Sequence, residues 1–497
     1  MRKRKILLYI AAGLLSVFQS CDKYLDKEPD NRAKLTDASK VGQLLGSSYP
    51  LANYMAFNEA MSDNAGDKGA GEAEVTNRDP YYFENVHSRD QDSPDNYWSA
   101  CYEAIASANE ALQACNNAAN PADYQKQKGE ALIARAYAHF MLVTLYSKPY
   151  DPATASSNPG IPYVTEPETV VIKQYDRKTV AYVYDMIEKD ILTGLPLIDD
   201  AAYTIPRYHF NRAAANAFAA RFYLYKKDYQ QAVTYASLAV PDFLPNLRKW
   251  NTTYQTYGIN NLPAQYQKTT EPANLLLVTC PTIYNYGNSY ATYRYGLTPF
   301  IQFQILQTPL QVTGGSWSFI SAYVGSQSNP AIPKFNYTDF ASSTPGSNIG
   351  IAYGTINLFT VEEVLFNKAE GNAYVGNYDA AINDLNLYMS TRLLGVTPGS
   401  LPANRQITQA KVLSHYNNSL DIQRALINFI LELKRAEFIH EGMRWFDMLR
   451  YNIPVAHTFV GSGNTTTGSI TIDATDQRRQ LKLPDAVKLS GITDLNR

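Results

Sequence analysis

The stretch Arg435-Ala436-Glu437-Phe438-Ile439-His440-Glu441-Gly442-Met443-Arg444-Trp445-Phe446-Asp447-Met448-Leu449-Arg450 combines dense charge with apolar residues at helical spacing. Glu432/Arg435, Glu441/Arg444, Arg444/Asp447 and Asp447/Arg450 are i,i+3 pairs, which are neighbours on one helix face and neutralise each other. The spacing predicts one long helix from about Leu420 to Tyr451 carrying a structural ion-pair ladder, and argues against a catalytic cluster of Glu437, His440, Glu441 and Asp447. His440-Glu441 opens a zinc-protease pattern that requires a histidine three residues after the glutamate, and Arg444 stands there instead.

Working outward, helical periodicity predicts further helices at Asn96 to Asn117, Tyr124 to Tyr146, Lys178 to Leu195, Asn211 to Lys226, Tyr229 to Val240, Val361 to Tyr374 and Tyr378 to Arg392. Residues 22–95 are interrupted by Asp, Asn, Gly and Pro, with a short helix expected around Ser39 to Tyr54. Shifting residues 219–236 by 149 lays Ala220, Tyr225, Asp228-Tyr229, Ala232 and Val233 over Ala369, Tyr374, Asn377-Tyr378, Ala381 and Ile382. That order is similar to the helix-turn-helix of tetratricopeptide repeats, in which small alanines let paired helices approach and successive pairs stack to bury their apolar faces. The expected fold class is mainly α, a helical-repeat superhelix.

Between residues 241 and 357 the chemistry changes. Eight of 117 residues are charged, about 7% against 18% for the chain, and 19 are aromatic, interleaved with Asn, Gln, Thr, Ser and Gly. Such a segment is too aromatic to be a linker and reads as too broken by Gly and Pro for helices, so a loop-rich inserted lobe with few short strands is expected. Tyrosine and tryptophan offer a rigid face for stacking and a polar tip, and an uncharged aromatic cleft suits a neutral polymer such as a glycan. The residues singled out for ligand contact are Trp250, Tyr284, Tyr286, Tyr290, Tyr293 and Trp317 from the lobe, with Asp67, Arg78, Tyr81 and Tyr82 from the N-terminal loops. Trp98 opens a helical apolar stripe shared with Cys101 and Cys115 and is assigned to the core.

At the N-terminus four basic residues, Arg2 to Lys5, precede an apolar run from Ile6 to Phe18, the pattern of a secretory signal peptide over residues 1–20. Ser20 precedes Cys21, the expected lipidation site, although Phe18 stands where a lipoprotein box prefers leucine. Removing the signal subtracts four positive charges, taking the net charge from −2 to −6, which gives no electrostatic reason to bind nucleic acid. Six histidines without ligand spacing exclude a zinc site, and the calcium-loop register at Asp63, Asp67 and Glu74 fails at Ala65 and Lys68. Neither a metal nor a cofactor is expected, and no phosphate loop or nucleophile elbow is present.

These residues together resemble the SusD/RagB family of outer-membrane nutrient-binding lipoproteins. The resemblance is carried by Arg435-x-Glu437, Glu441-Gly442-x-Arg444 and Asp447-x-x-Arg450, by Cys21-Asp22-Lys23-Tyr24-Leu25-Asp26, by Ala134-Arg135-Ala136-Tyr137 with His139-Phe140, by Gly160-Ile-Pro-Tyr-Val164, and by Pro333-Lys334-Phe335 and Ala369-Glu370. Ser147-Lys148-Pro149 departs from the family's Gly-Asp-Val-Pro, and Leu387 to Arg392 is a loose version of its Asn-x-x-Arg-x-Arg. The resemblance implies a single unit over 21–497, with a tetratricopeptide-like scaffold at about 96–240 and 358–451 around the lobe at 241–357. It also implies a lipid tether on the outer membrane facing outward, no catalysis, and a lid role over a SusC-like TonB-dependent transporter. The cargo expected is a glycan; an oligopeptide, or a non-catalytic protein-interaction scaffold, are the alternatives.

Overall fold

In the computed structural model, residues 35, 37–170, 172–342, 344, 347 and 349–496 are described, so the signal segment and Cys21 lie outside them. The principal helices are α1 (Ala38–Leu45), α2 (Met55–Met61), α3 (Val75–Tyr81), α4 (Pro94–Asn117), α5 (Gln125–Tyr146), α6 (Val180–Gly194), α7 (Arg212–Tyr225) and α8 (Tyr229–Ala239). They continue as α9 (Pro299–Thr313), α10 (Val361–Tyr374), α11 (Tyr378–Ser390), α12 (Gln409–His415), α13 (Ile422–Glu437) and α14 (Met443–Arg450). Polar residues at the starts take the free backbone N–H groups. Ser93 accepts from the Asn96 N–H, Asn211 from Ala214, Asp228 from Gln231 and Thr360 from Glu363.

The internal repeat is exact at three of its four helix boundaries: α7 and α10 begin and end 149 residues apart, as do the starts of α8 and α11. Gly371 on α10 makes the crossing with α8 close, because a Cβ there would lie 2.8 Å from Val233 Cγ2 and 3.0 Å from the Tyr229 carbonyl. From Gly129 to Tyr146 every residue of α5 is buried, as is all of α7 from Ala214 onward, so these two helices sit inside the stack with neighbours on all sides. One continuous buried apolar cluster joins the helical stack to the lobe. No helix among the described residues is long and apolar enough to cross a membrane.

Two expectations are corrected. The helix expected from Leu420 to Tyr451 is broken after Glu437: His440 and Gly442 adopt left-handed φ values of 70° and 69° before α14 starts. The cause is tertiary. Helix α2 fills the break, with the Gly442 N–H donating to Glu59 and Asn58 donating to the Gly442 carbonyl. The lobe is not free of helix either, since α9 occupies Pro299–Thr313. Thr298 caps it and Pro299 sits in its first turn, where its missing N–H costs nothing. Pro309 lies inside α9, and the cost of an interior proline is offset by a buried face of Ile305, Pro309, Leu310 and Val312, on an element packed against α12 and α13.

Three strands form the lobe's main sheet, β2 (Asn274–Pro281), β4 (Tyr337–Ser342) and β5 (Gly350–Thr360); β1 (Gly66–Asp67) and β3 (Tyr295–Gly296) form a separate short pair. The main sheet is antiparallel in the order β2-β5-β4, with β5 central and running directly into α10. The β4 strand is an edge, exposed along most of its length. A C-terminal hairpin, β6 (Val455–Val460) and β7 (Thr466–Ile472), returns to the N-terminal loops.

Candidate functional site

The charges of the opening stretch are tied into the core rather than into a ladder along one helix. Only Asp447/Arg450 keeps the expected i,i+3 contact, at 3.1 Å. Glu432 accepts from Tyr416 and pairs with His415, Arg444 binds Asp63 through two nitrogens, and Arg435 reaches Asn64 and Asp63. Glu437 and Glu362 clamp Arg392, Glu362 also holds Arg248, and Lys334 binds Glu441 at 2.7 Å. Arg248, Glu362, Arg392, Glu437 and Lys334 are all fully buried, so the network balances positive against negative charge within the interior. His139 is likewise structural: its Nδ1 faces the Arg135 carbonyl, its Nε2 accepts from the Val164 N–H, and burial lowers its pKa to about 3. No cluster of metal-ligating side chains occurs among the described residues.

The N-terminal residues expected to meet ligand are brought together, but mostly as a joint between segments. Both Asp67 carboxylate oxygens are consumed by Arg294 at 2.7 and 3.0 Å and by the N–H groups of Gly69 and Val460, a cradle that lowers its pKa although burial opposes this. Tyr81 is sandwiched between His457, with ring centroids 4.0 Å apart, and Tyr295 at 4.6 Å, and its hydroxyl donates to the Thr458 carbonyl. Tyr82 stacks on Phe459 at 4.4 Å, and Arg78 lies at the surface beside Asp79. Asp67 and Tyr81 therefore lock the β6–β7 hairpin onto the N-terminal loops and do not present themselves to a ligand.

Most of the lobe aromatics are corrected in the same way. Trp250 is fully buried against Tyr254 and Phe319, and Trp317 stacks on Phe319 while its indole N–H donates to the Leu306 carbonyl. Tyr284 and Tyr290 pack on each other and around His440, and Tyr293 is buried beside Tyr284. The physical reason is burial: large rings remove much apolar surface from water, and the lobe packs them with Leu262, Leu276, Ile332 and Ile356 into its core. Tyr286 is the exception. It is 44% exposed and gathers Tyr337 at 5.3 Å and Phe340 at 5.9 Å, both from the edge strand β4.

Tyr337 also lines an open cleft of about 530 Å³. Its floor is a row of three threonine hydroxyls crossing the sheet, Thr279 to Thr355 at 2.9 Å and Thr355 to Thr338 at 3.4 Å. Gln267 braces one wall, donating to the carbonyls of Thr355 and Asn336, while Tyr208 and Asn260 also line the cleft and Lys268 is the one charged residue of the lining among the described residues. Such a surface offers hydroxyls and amides on a shallow base with a ring at its edge. The sequence reading missed Tyr208, Tyr337 and the threonines. Thr279 is 76 residues from Thr355 and Thr338 is 17, and the β2-β5-β4 pairing aligns them. The alternation Tyr337-Thr338-Asp339-Phe340 was the one local signal available.

Two family models match the chain, one described as starch-binding associating with outer membrane over residues 23–224 and one described as the SusD family over residues 282–486. No curated protein matches it. Among solved structures, a SusD-like carbohydrate-binding protein from Bacteroides vulgatus is similar with a TM-score of 0.62 at 15% identity, covering 91% of this chain and 96% of its own. A SusD superfamily protein from Bacteroides fragilis gives a TM-score of 0.62 at 18% identity, covering 94% of this chain and 100% of its own. A laminarin-binding SusD-like protein gives 0.54 at 16% identity, covering 84% and 92% respectively. At these identities the likeness establishes the fold, and the two family models, which together reach from residue 23 to residue 486, establish the lineage: the chain belongs to the SusD/RagB family.

Proposed function

We propose that this protein is a non-catalytic outer-membrane lipoprotein, tethered through Cys21 after removal of residues 1–20. It captures a neutral oligo- or polysaccharide outside the cell and passes it to a SusC-like TonB-dependent transporter. The chain from 21 to 497 works as one unit, with the helical stack as frame and residues 241–357 as the capture lobe. The observation that carries the reading is the cleft beneath Tyr337: threonine, asparagine and glutamine groups around a tyrosine ring, with Lys268 the only charge in its lining among the described residues. Neutral hydroxyl-rich polymers match such a surface, because each sugar ring offers an apolar face to stack and hydroxyls to pair. The family's starch-binding association with the outer membrane and the carbohydrate- and laminarin-binding relatives point the same way.

Calorimetry of the mature protein with laminarin, an acidic polysaccharide and a peptide mixture tests this. Laminarin is expected to bind, and Tyr337→Ala with Thr355→Val is expected to weaken it at least tenfold without altering the fold. Binding of peptides alone would instead favour the oligopeptide reading, for which the exposed edge of β4 supplies a backbone able to pair with an extended chain. The tether and the transporter are tested separately. Cys21→Ala should leave the membrane fraction, and a pulldown from membranes should recover a large β-barrel transporter.

A further inference from the structure

A second cavity lies away from the lobe, where the C-terminal ends of α5, α7, α10 and α14 meet. It encloses about 300 Å³ and is lined by six tyrosines, Tyr150, Tyr184, Tyr225, Tyr229, Tyr374 and Tyr451. Tyr229 and Tyr374 stack at 3.8 Å across the two repeats, and Tyr150 lies 4.6 Å from Tyr184. The cavity opens past Pro149, Tyr150, Lys227 and Arg450 into a polar chamber of about 280 Å³. Each chamber is near the lower end of the roughly 300–1,000 Å³ range of small-molecule sites.

The charges of the polar chamber are not balanced. Its lining holds Lys148, Lys227, Arg450 and Arg479 against Asp151 and Asp476. Arg450 is neutralised by Glu370 and Asp447 and lies over the Tyr225 and Tyr451 rings; Arg479 donates to the carbonyls of Met448 and Ile453; Asp476 holds Arg478. That leaves Lys148, exposed and without an ion pair among the described residues, and Lys227, whose partner is the half-exposed Asp151 at 3.1 Å.

The repeat makes Lys227 conspicuous. The turn Tyr225-Lys226-Lys227-Asp228-Tyr229 corresponds to Tyr374-Val375-Gly376-Asn377-Tyr378, and both Lys227 and Gly376 adopt a left-handed backbone, with φ of 65° and 84°. Glycine is the residue this position favours, and a β-carbon there is strained. The second repeat uses glycine; the first holds a lysine in the strained conformation, a residue that lines both chambers and whose ammonium lies 3.1 Å from the Asp151 carboxylate.

We propose that this paired cavity is a second saccharide site, specific for an acidic sugar: the ring packs among the tyrosines and its carboxylate is held by Lys227 and Lys148. The inference rests on the glycan-binding reading of the protein but not on the lobe cleft. Titration of the mature protein with a glucuronate-containing disaccharide and with its neutral glucose counterpart tests it. The acidic probe is expected to bind, more weakly as salt is raised, and Lys227→Gly with Lys148→Ala is expected to reduce its affinity at least tenfold. Lys227→Gly relieves the left-handed strain, so its melting temperature is expected to equal or exceed that of the unaltered protein, which separates lost binding from lost folding. Laminarin binding should survive these changes, and Tyr337→Ala should leave the acidic probe unaffected. The proposal falls if the acidic probe does not bind, or binds equally well after Lys227→Gly. It falls too if Lys227→Gly lowers the melting temperature as much as Asp151→Ala does, because the lysine then serves the ion pair. Failure of laminarin with retention of the acidic probe would overturn the lobe reading alone.

Discussion

Arg392 shows what a single residue costs and contributes in this interior. Its guanidinium is fully buried and divided between Glu437, Glu362 and the carbonyl of Arg248. Glu437→Gln removes the charge that answers it and is expected to lower stability by about 3–5 kcal/mol, measured by urea unfolding. Replacing Arg392 and Glu437 together by apolar residues of similar volume is expected to cost less than either single change, since no orphaned charge remains. Buried titratable groups set the pH response. Burial keeps His139, His440 and His457 neutral with lowered pKa values, so each takes up a proton on unfolding below about pH 6.5, and stability is lost as the pH falls. Glu59 and Asp92 act in the opposite sense: burial raises them to about 7 and about 6, and the stability they contribute is lost as the pH rises through those values. Burial raises Asp95, Asp384 and Glu432 as well, so the carboxyls oppose the histidines and limit how far stability falls between pH 6.5 and 5. In Asp92→Asn, which removes one of the opposing groups, it should fall more steeply; denaturant midpoints across that window check the slope.

At the scale of elements, the junction between α13 and α14 is the point most sensitive to a small change. Gly442 needs a left-handed backbone, and a Cβ there would lie 2.9 Å from the Met55 Cα on α2. Gly442→Ala combines the left-handed penalty of about 1–2 kcal/mol with displacement of α2. The expected loss is at least that amount, and hydrogen exchange should show it concentrated at residues 55–61. The helices themselves were legible in the sequence, because caps such as Ser93, Asn211, Asp228 and Thr360 stand beside clear apolar periodicity. The break at His440 was not. Nothing in the spacing of Glu437, Glu441 and Arg444 distinguishes partners on the same helix from partners elsewhere, and Arg444 prefers Asp63. Helix α9 was hidden by Pro299 and Pro309, which read as breakers until one is placed in the first turn and the other against a packed face.

For the whole molecule, the continuous buried cluster running from Tyr49 through the lobe to Leu495 predicts that stack and lobe unfold together. Differential scanning calorimetry is expected to show one transition whose calorimetric and van't Hoff enthalpies agree, and two resolved transitions would contradict this. By itself the sequence determined the helical class, the 149-residue repeat, the family and the low-charge aromatic segment, because periodicity, capping and composition are local properties written residue by residue. Which aromatics are core and which are surface was decided only by the tertiary structure. Trp250, Tyr284, Tyr290, Tyr293 and Trp317 are chemically fit to stack on a ligand, yet the lobe uses them to fill its own interior. Tyr286 and Tyr337 stay open because Tyr337 is on, and Tyr286 beside, the edge strand β4, which pairs on one side only among the described residues. The same holds for the threonine row and the tyrosine cavity, each assembled from segments distant in the chain whose meeting depends on strand register and helix stacking, which no local pattern encodes.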